Sequence, residues 1–254
     1  MRIEKLNSLT IFFPFLNDEG TVKKAIDDAY FYGRKFANKL EVIAIHGGKS
    51  KDNTLNEILK QKTKYHNLIV IDKTHNMQGY AVIKHGFKKA SKQWVFYTDG
   101  DLQYDIKDLE KLIKAHYRSH VDVVNWYKLK RRDNISRIIL GYPYQIISKY
   151  LYKLPIKDLT CDFRLIRKSK LNKISLNAKN ASILLELIMK LQYVKSKFID
   201  VPINHKKRKY GKSNYNIFNL FIERTIKELQ TYMFLRKRLY NKNHENNWCQ
   251  INNF

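Results

Sequence analysis

The sequence predicts an α/β fold in which a mostly parallel β-sheet is flanked by helices. Short apolar runs of β-forming residues alternate with helical patterns through the first half of the chain, as in successive β-α-β units. Polar loops follow three of these runs. Because parallel sheets bind ligands beyond the carboxyl ends of their strands, we expect the site at the loops Pro14–Gly20, His46–Asp52 and Asp99–Asp105.

Each element of the first half has its own pattern. Leu9–Phe13 is an apolar run of β-formers that Pro14 is expected to end, and Thr21–Lys39 carries apolar residues at helical spacing. The further predicted strands are Glu41–Ile45, Asn67–Ile71, Trp94–Thr98 and Val121–Trp126. The helices between them are Asn53–Lys62, Gly79–Ala90 and Ile106–Tyr117.

The second half is less regular. Its predicted elements are a long helix Ile135–Tyr152, a strand Phe163–Arg167, a helix Ser182–Val194, a strand Lys197–Val201, a basic loop His205–Asn214 and a final amphipathic helix Ile217–Tyr240. Neither an internal repeat nor a Pro/Gly-rich linker interrupts the chain. We therefore expect one catalytic domain over residues 1–215, followed by a basic amphipathic helix and tail over 216–254.

The chain is strongly basic. It has 49 lysine and arginine residues against 23 aspartate and glutamate residues, a formal net charge of +26. Such a charge suits nucleic acid, an anionic membrane face or phosphorylated substrates, and compositional drift toward lysine produces it equally well. Since no nucleic-acid recognition motif accompanies the charge, nucleic acid is not expected as a partner.

Cysteine use and hydropathy bear on the compartment. Cys161 and Cys249 form neither a zinc-type pair nor a disulfide framework, so a reducing, cytoplasmic setting is expected. Met1–Ser8 lacks an apolar signal core. The stretch closest to a membrane span, Ile138–Leu154, contains a proline and two lysines and is interpreted as an interfacial or core helix.

Asp99 and Asp101 are the strongest candidates for chemistry. They follow a predicted buried strand, and two carboxylates one residue apart can share a hard cation such as Mg²⁺ or Mn²⁺, which usually also takes substrate phosphates. An isolated Asp-x-Asp is a weak pattern, and the alternative is a solvated turn in which Asp99 caps a helix. The position at the ligand edge of the sheet favours the metal site.

Six segments, in order from about Leu9 to Asn214, carry a resemblance to a known family. Asp99–Gln103 matches Asp-x-Asp-Leu-Gln, and Asp158–Arg164 resembles Asp-x-x-Cys-Gly-Phe-Arg. The other four segments are Phe13–Thr21, Asn76–Gly86, Tyr127–Asp133 with Arg137, and Val201–Ser213. Together they resemble family 2 glycosyltransferases, particularly the branch of dolichyl-phosphate mannose synthase and bacterial polyprenyl-phosphate glycosyltransferases.

The resemblance implies a GT-A (Rossmann-like) fold and a role for each matched position. Asp99, Asp101 and Gln103 would hold Mg²⁺ or Mn²⁺ and the donor pyrophosphate, and would so carry catalysis. The positions implied for donor binding are Pro14, Leu16, Asp18, Arg208 and Ser213. Those implied for the acceptor phosphate are Lys128, Arg131 and Arg137, since cationic side chains are natural partners of phosphate oxygens.

The chain departs from the family after its second strand. Where the family usually has Asp-Asp-Gly-Ser, whose acids help to bind base and ribose, this chain has His46-Gly47-Gly48-Lys49-Ser50. His46 is then the donor-binding candidate, but it offers no carboxylate acceptor for a base N–H. Either the donor is recognised differently or donor binding is lost. Asp162 likewise replaces a glycine of the family.

The implied function is a metal-dependent, inverting glycosyltransferase that moves a sugar from a UDP- or GDP-sugar to a polyprenyl (dolichyl- or undecaprenyl-type) phosphate. Such an acceptor is anionic near neutral pH and needs no general base. The alternatives are a glycan or other soluble acceptor, or a donor-binding-defective homologue that serves as a scaffold subunit.

The composition of the predicted C-terminal helix indicates a location at a membrane surface. Its mixture of apolar and basic residues suits a helix that lies on the anionic, cytoplasmic membrane face, which would make the protein peripheral. Packing of this helix on the domain is an equal alternative. A membrane-anchoring partner subunit is a further possible partner.

Overall fold

The computed structural model describes residues 4–75, 79–128, 149–204, 206, 210 and 225–237, with the backbone alone at Gly79 and Lys128. Within these residues, seven strands form one sheet in the order β3-β2-β1-β4-β6-β5-β7. The strands are β1 (Leu6–Phe15), β2 (Ala37–His46), β3 (Ile69–Asp72), β4 (Trp94–Thr98), β5 (Val123–Lys128), β6 (Phe163–Arg167) and β7 (Phe198–Ile203). All pairings are parallel except those of β6. The predicted mostly parallel sheet is confirmed.

Helices occupy the connections between strands. They are α1 (Glu19–Phe36), α2 (Thr54–Lys64), α3 (Ile83–Lys89), α4 (Leu109–Ser119), α5 (Lys168–Leu171) and α6 (Ile183–Tyr193). Short 3₁₀ turns, Gly79–Val82 and Ile106–Asp108, precede α3 and α4. Residues 149–152 and 225–237 are also helical. The rest of the predicted helices over 135–152 and 217–240 lies outside the described residues.

The sheet has a buried core on each face. Phe13 and Phe15 of β1 belong to the core that packs under α1 and α4. Phe12, which precedes Phe13, points to the other face, where its ring meets Phe87 of α3 edge to face at 5.0 Å. This alternation is the two-residue period of a strand buried on both sides. It explains why β1 is apolar throughout instead of alternating with polar residues.

Two boundaries of the first β-α-β unit differ from the prediction. β1 continues through Pro14 to Phe15, and β4 leaves β1 at the Phe12–Tyr97 pair, so the missing proline N–H costs nothing on that side. The helix predicted to reach Lys39 ends at Phe36, and Ala37 is already extended because it pairs with Leu6. Pairing with a distant strand has overridden the local helical pattern.

The carboxyl ends of four neighbouring strands meet at one edge of the sheet. Phe15 at the end of β1 pairs with His46, the last residue of β2, and His46 pairs with Asp72, the last residue of β3. Thr98, the last residue of β4, lies on the other side of β1. The three predicted loops therefore leave the sheet side by side, as parallel strands require.

Arg164 of β6 is completely buried and connects three strands to a loop. Its Nε donates to Asn125 Oδ1 of β5 and its Nη1 donates to the Tyr97 hydroxyl of β4, each at 2.6 Å. Its Nη2 donates to the main-chain oxygens of Leu159 at 2.7 Å and Asp158 at 3.3 Å. A buried guanidinium needs such acceptors, because unsatisfied N–H groups in the interior are costly.

Replacing Arg164 should show how much the fold depends on these bonds. Arg164→Met keeps the apolar stem but leaves the buried acceptors without their donor, so we expect the free energy of unfolding to fall by at least about 3 kcal/mol. Urea denaturation measures this loss. Arg118→Met, on the exposed surface of α4, is the matched control and should change stability by less than about 0.5 kcal/mol. Equal losses in the two variants would contradict the assignment.

Candidate active site

Asp99 and Asp101 lie in the turn that follows β4. Asp101 Oδ1 accepts the backbone N–H of Gln103 at 3.0 Å, and Leu102 takes a left-handed φ of 58°, which is uncommon for leucine. Between the two aspartates, a Cβ at Gly100 would overlap the ring of the fully buried Phe15. Glycine is therefore required there, and the turn is held tightly against the end of β1.

Among the described residues, three other carboxyl groups act on Asp99 at this edge. Burial raises the pKa of Asp99 well above its ordinary value, and the like charges of Asp162, Asp101 and Asp18 raise it further. The Tyr80 hydroxyl donates to Asp99 Oδ1 at 3.2 Å, which partly offsets this effect. Asp162, the residue that replaces a glycine of the family, thus adds negative charge beside the Asp-x-Asp pair.

A divalent cation fits this set of donors. No three carboxylate, imidazole or thiol side chains in the described part of the chain are close enough to enclose a cation by themselves. Mg²⁺ is typically bound through one or two carboxylates, with water and substrate phosphates completing its shell. Asp99, whose ionisation is opposed by its neighbours, gains most from a nearby positive charge. Asp99 and Asp101 match such a two-carboxylate site.

Gln103 connects the Asp99 turn to the segment after β7. Its backbone oxygen accepts the N–H of Lys206 at 2.9 Å, and its side-chain amide donates to the Lys206 oxygen at 3.3 Å. Lys206 Nζ also reaches Asp105 Oδ2 at 3.0 Å. The amide predicted to bind metal therefore holds this segment beside the Asp99 turn.

Tyr210, also after β7, contacts the start of α1. A Cβ at Gly20 would overlap the Tyr210 ring, so this ring lies directly on the first turn of α1. Of the residues described after β7, Lys206 thus contacts the turn after β4 and Tyr210 contacts the helix after β1.

The predicted base-pocket residues Pro14, Leu16 and Asp18 lie at the end of β1. Asp18 Oδ2 accepts the N–H of Leu16 at 2.9 Å, and the Asp18 N–H donates to Thr54 Oγ1 at 2.8 Å. The Leu16 side chain lies next to Gly48, whose φ of 151° suits glycine. The loops after β1 and β2 are therefore joined around these residues.

This junction is built by three residues that were not among the predicted site residues: Ser50, Asp52 and Thr54. Asp52 Oδ2 accepts the N–H of Glu19 at 3.1 Å, and its Oδ1 accepts the N–H of Thr54 at 3.1 Å. Ser50 Oγ accepts the N–H of Asn17 at 3.3 Å. A run of small polar residues before a helix is typical of capping turns, and this pattern could have identified them.

His46 is buried, and both of its ring nitrogens are engaged within the protein. Nε2 lies 2.9 Å from Ser50 Oγ, and Nδ1 lies 2.9 Å from Thr74 Oγ1 and 3.1 Å from Asp72 Oδ1. These contacts join the ends of β2 and β3. For His46, predicted as a donor-binding residue, the geometry favours bracing of this edge over direct contact with a ligand.

The remaining predicted residues cannot be placed with their side chains. Lys128 ends β5, where only its backbone is described. Arg131, Arg137, Arg208 and Ser213 lie outside the described residues. Their phosphate-binding roles stay predictions.

Three relatives are named for sugar transfer to polyprenyl phosphates. A dolichyl-phosphate beta-glucosyltransferase of Trichomonas vaginalis is 26% identical over 179 residues, which cover 65% of this chain and 54% of that protein. A dodecaprenyl-phosphate galacturonate synthase of Rhizobium johnstonii is 20% identical over 230 residues, 90% and 67% of the two chains. An undecaprenyl-phosphate 4-deoxy-4-formamido-L-arabinose transferase of Photorhabdus laumondii is 21% identical over 225 residues, 87% and 66%. The chain spans only about half the length of the first.

Solved structures agree on the fold. Glucosyl-3-phosphoglycerate synthase from Mycobacterium tuberculosis, in complex with Mn²⁺, UDP-glucose and phosphoglyceric acid, superposes with a TM-score of 0.63 at 12% identity and covers 89% of this chain and 79% of that one. The same enzyme with Mg²⁺ and UDP gives the same TM-score, identity and coverage. At this identity the likeness concerns the fold alone, and it confirms the GT-A expectation.

Family membership follows from the match along the sequence. The pattern of glycosyl transferase family 2 matches residues 10–175, about two thirds of the chain. This range begins in β1 and ends beyond β6, so it includes the Asp99 turn and the Arg164 network. The chain belongs to glycosyl transferase family 2.

Proposed function

We propose that this chain transfers a sugar from a nucleotide-diphosphosugar to a polyprenyl phosphate at a membrane face, with Mg²⁺ or Mn²⁺. The observation that carries the proposal is the gathering of Asp99, Asp101, Asp18 and Asp162 at the carboxyl edge of the sheet. A site so crowded with negative charge suits a divalent cation together with the diphosphate that the cation accompanies. The names of the relatives support the lipid-phosphate acceptor.

Each described residue of the site has a part in this reaction. Asp99 and Asp101 would hold the cation, which would supply positive charge to offset that of the departing nucleoside diphosphate. Tyr80 orients the Asp99 carboxylate through its hydrogen bond. Gln103 holds Lys206 beside the Asp99 turn through two hydrogen bonds, which keeps a cationic side chain on the side of the donor phosphates. The ionised acceptor phosphate attacks the anomeric carbon directly, with inversion.

The helix over residues 225–237 supports action at a membrane. One side of it faces the domain: Leu235 is buried, Thr231 Oγ1 donates to Ser182 Oγ at 3.1 Å, and Tyr232 meets the Tyr152 ring at 4.9 Å. The helix therefore packs on the domain and still presents a second apolar side.

That second side is exposed to solvent. It carries Ile226, Leu229 and Met233 at helical spacing, together with Phe234, all classed as exposed. The basic residues Lys227, Arg236 and Lys237 lie on the same helix. An apolar stripe with basic neighbours suits the interface of an anionic bilayer. In the described ranges, none of the helices combines the length and apolar character needed to cross a bilayer.

Nucleotide binding tests the proposed function most directly. Calorimetric titration of UDP and GDP should detect binding of one of them that depends on Mn²⁺, because the diphosphate completes the two-carboxylate site. Asp101→Ala should abolish this binding, while Asp122→Ala, far from the site on the β5 side, should retain it. If the wild type binds neither nucleotide in the presence of Mn²⁺, the enzyme proposal fails and a scaffold role takes its place.

Asp99→Asn separates stability from metal binding. Removing one of four crowded negative charges should raise the melting temperature of the metal-free protein by about 2–4 °C, equivalent to roughly 1 kcal/mol. The same variant should lose the stabilisation that Mn²⁺ with UDP or GDP gives the wild type. Differential scanning calorimetry measures both effects.

The control for this change is a carboxylate with cationic partners. Asp122 is paired with Arg167 at 2.9 Å and lies near Lys170, so Asp122→Asn should lower the melting temperature. A fall in melting temperature for Asp99→Asn as well would argue against charge crowding at the Asp99 site.

Vesicle flotation tests the membrane surface. Vesicles of phosphatidylcholine mixed with phosphatidylglycerol should bind the protein, and phosphatidylcholine alone should bind it weakly. Leu229→Glu combined with Met233→Glu should reduce binding about tenfold or more, since it places two charges in the apolar stripe. Thr63→Glu on α2, combined with His66→Glu in the turn after it, adds the same charge at two exposed positions and is the control. Equal losses in both double variants would refute insertion of the stripe.

A further inference from the structure

The end of β3 carries a carboxylate next to the place where β2 lacks one. Asp72 is the last residue of β3 and pairs in register with His46. Its side chain is 49% exposed, whereas that of His46 is 3% exposed. At the edge formed by β2 and β3, Asp72 rather than His46 is therefore accessible to a ligand.

The hydrogen bonds of Asp72 leave one of its oxygens available. Oδ1 accepts the Thr74 hydroxyl at 2.6 Å and the Thr74 N–H at 2.9 Å, and it lies 3.1 Å from His46 Nδ1. None of the hydrogen bonds among the described residues involves Oδ2. One carboxylate oxygen thus fixes the group to the protein, and the other is an acceptor directed to the half-exposed side.

His46 holds this carboxylate through a chain of hydrogen bonds that begins after β1. The Asn17 N–H donates to Ser50 Oγ at 3.3 Å, and Ser50 lies 2.9 Å from His46 Nε2. These partners are satisfied together when Ser50 donates to Nε2 and the His46 Nδ1–H is shared between Thr74 Oγ1 at 2.9 Å and Asp72 Oδ1 at 3.1 Å. The orientation of Asp72 is in this way coupled to the loop that contains the predicted base-pocket residues.

The charge of Asp72 suits an acceptor role. Burial alone would raise its pKa, but hydrogen bonds from Thr74 and His46 outweigh burial and lower the pKa below the usual value of an aspartate. The group is therefore ionised throughout the neutral range, and an ionised carboxylate is a strong acceptor for a ring N–H.

The position of Asp72 matches the reach of a nucleotide bound at Asp99. Strands β3, β2, β1 and β4 are consecutive in the sheet, so the ends of β3 and β4 are three strand spacings apart, about 14 Å. An extended nucleoside diphosphate whose phosphates lie at the end of β4 can place its base near the end of β3. On the other side of β4, the segment that Arg164 anchors occupies the edge.

We propose that Asp72 determines the base specificity of the donor site, with its Oδ2 accepting the ring N–H of uracil or guanine and His46 acting as its positioning residue. This inference rests on the proposed function. In it, Asp72 on β3 takes the role of the acidic residues that this chain lacks after β2. Cytosine and adenine present a ring lone pair where uracil and guanine present N–H, so a carboxylate disfavours them.

Exchange of Asp72 for asparagine tests the proposal, because asparagine keeps an oxygen for Thr74 and His46 and offers N–H₂ where Oδ2 was. The full chain is titrated calorimetrically with UDP, GDP, CDP and ADP in the presence of Mn²⁺. The wild type should bind UDP or GDP at least about tenfold more tightly than CDP and ADP. In Asp72→Asn this preference should fall at least about tenfold, in favour of CDP or ADP.

His46 needs a separate variant because it acts through Asp72. His46→Ala should reduce the base preference, and His46→Asn, whose amide can still donate to Asp72, should restore part of it. Glu41→Gln, in the middle of β2 and away from the ligand edge, controls for loss of a carboxylate and should keep the wild-type preference.

The outcomes separate this proposal from the broader one. If Asp72→Asn lowers the affinity for all four nucleotides by the same factor, or changes none of the four affinities, the assignment of Asp72 is overturned while the transferase proposal stands. If the wild type binds no nucleotide at all, both are overturned. A base preference that shifts in Asp72→Asn and His46→Ala, shifts less in His46→Asn and is unchanged in Glu41→Gln supports the assignment.

Discussion

The buried guanidinium of Arg164 is the interaction on which the described fold depends most. It is bound to Tyr97 on β4, to Asn125 on β5 and to main-chain oxygens at 158–159, so it connects the antiparallel insertion to the parallel half of the sheet. The same bonds fix the segment that ends in Asp162. Arg164 thereby determines the position of one of the four carboxyl groups at the candidate site, although it is not itself exposed there.

The candidate site combines a rigid frame with unfavourable electrostatics. Gly100 is fixed against Phe15, and Asp99 is buried among like charges that oppose its ionisation. Hydrophobic packing of β1 and β4 offsets the free-energy cost of burying Asp99 among like charges. A fold stabilised in this way can maintain a site in which the negative charge of the carboxylates is balanced only when positive charge is bound. Perturbed pKa values of this kind are common among functional residues.

Patterns within short stretches of sequence predicted those features of the fold that depend on neighbouring residues. The order of strands and helices, the ligand edge and the Asp-x-Asp turn all follow from periodicity and turn residues. The continuation of β1 through Pro14, the amide contact of Gln103 and the availability of Asp72 Oδ2 depend on partners 30 or more residues away, or on the neighbouring strand. Such contacts leave no trace in a window of sequence, so the pattern could not have predicted them.

Because Gly100 contacts Phe15, the residues tolerated at position 100 depend on the residue at position 15. Replacements at 100 must overcome a fully buried aromatic ring, whereas a smaller residue at 15 would first open the space that a side chain at 100 needs. Effects at the two positions will therefore not add, and a library that varies either alone will undercount the sequences compatible with this turn. Randomising both positions together would yield stable sequences that cannot be reached by single substitutions without an intermediate that loses stability.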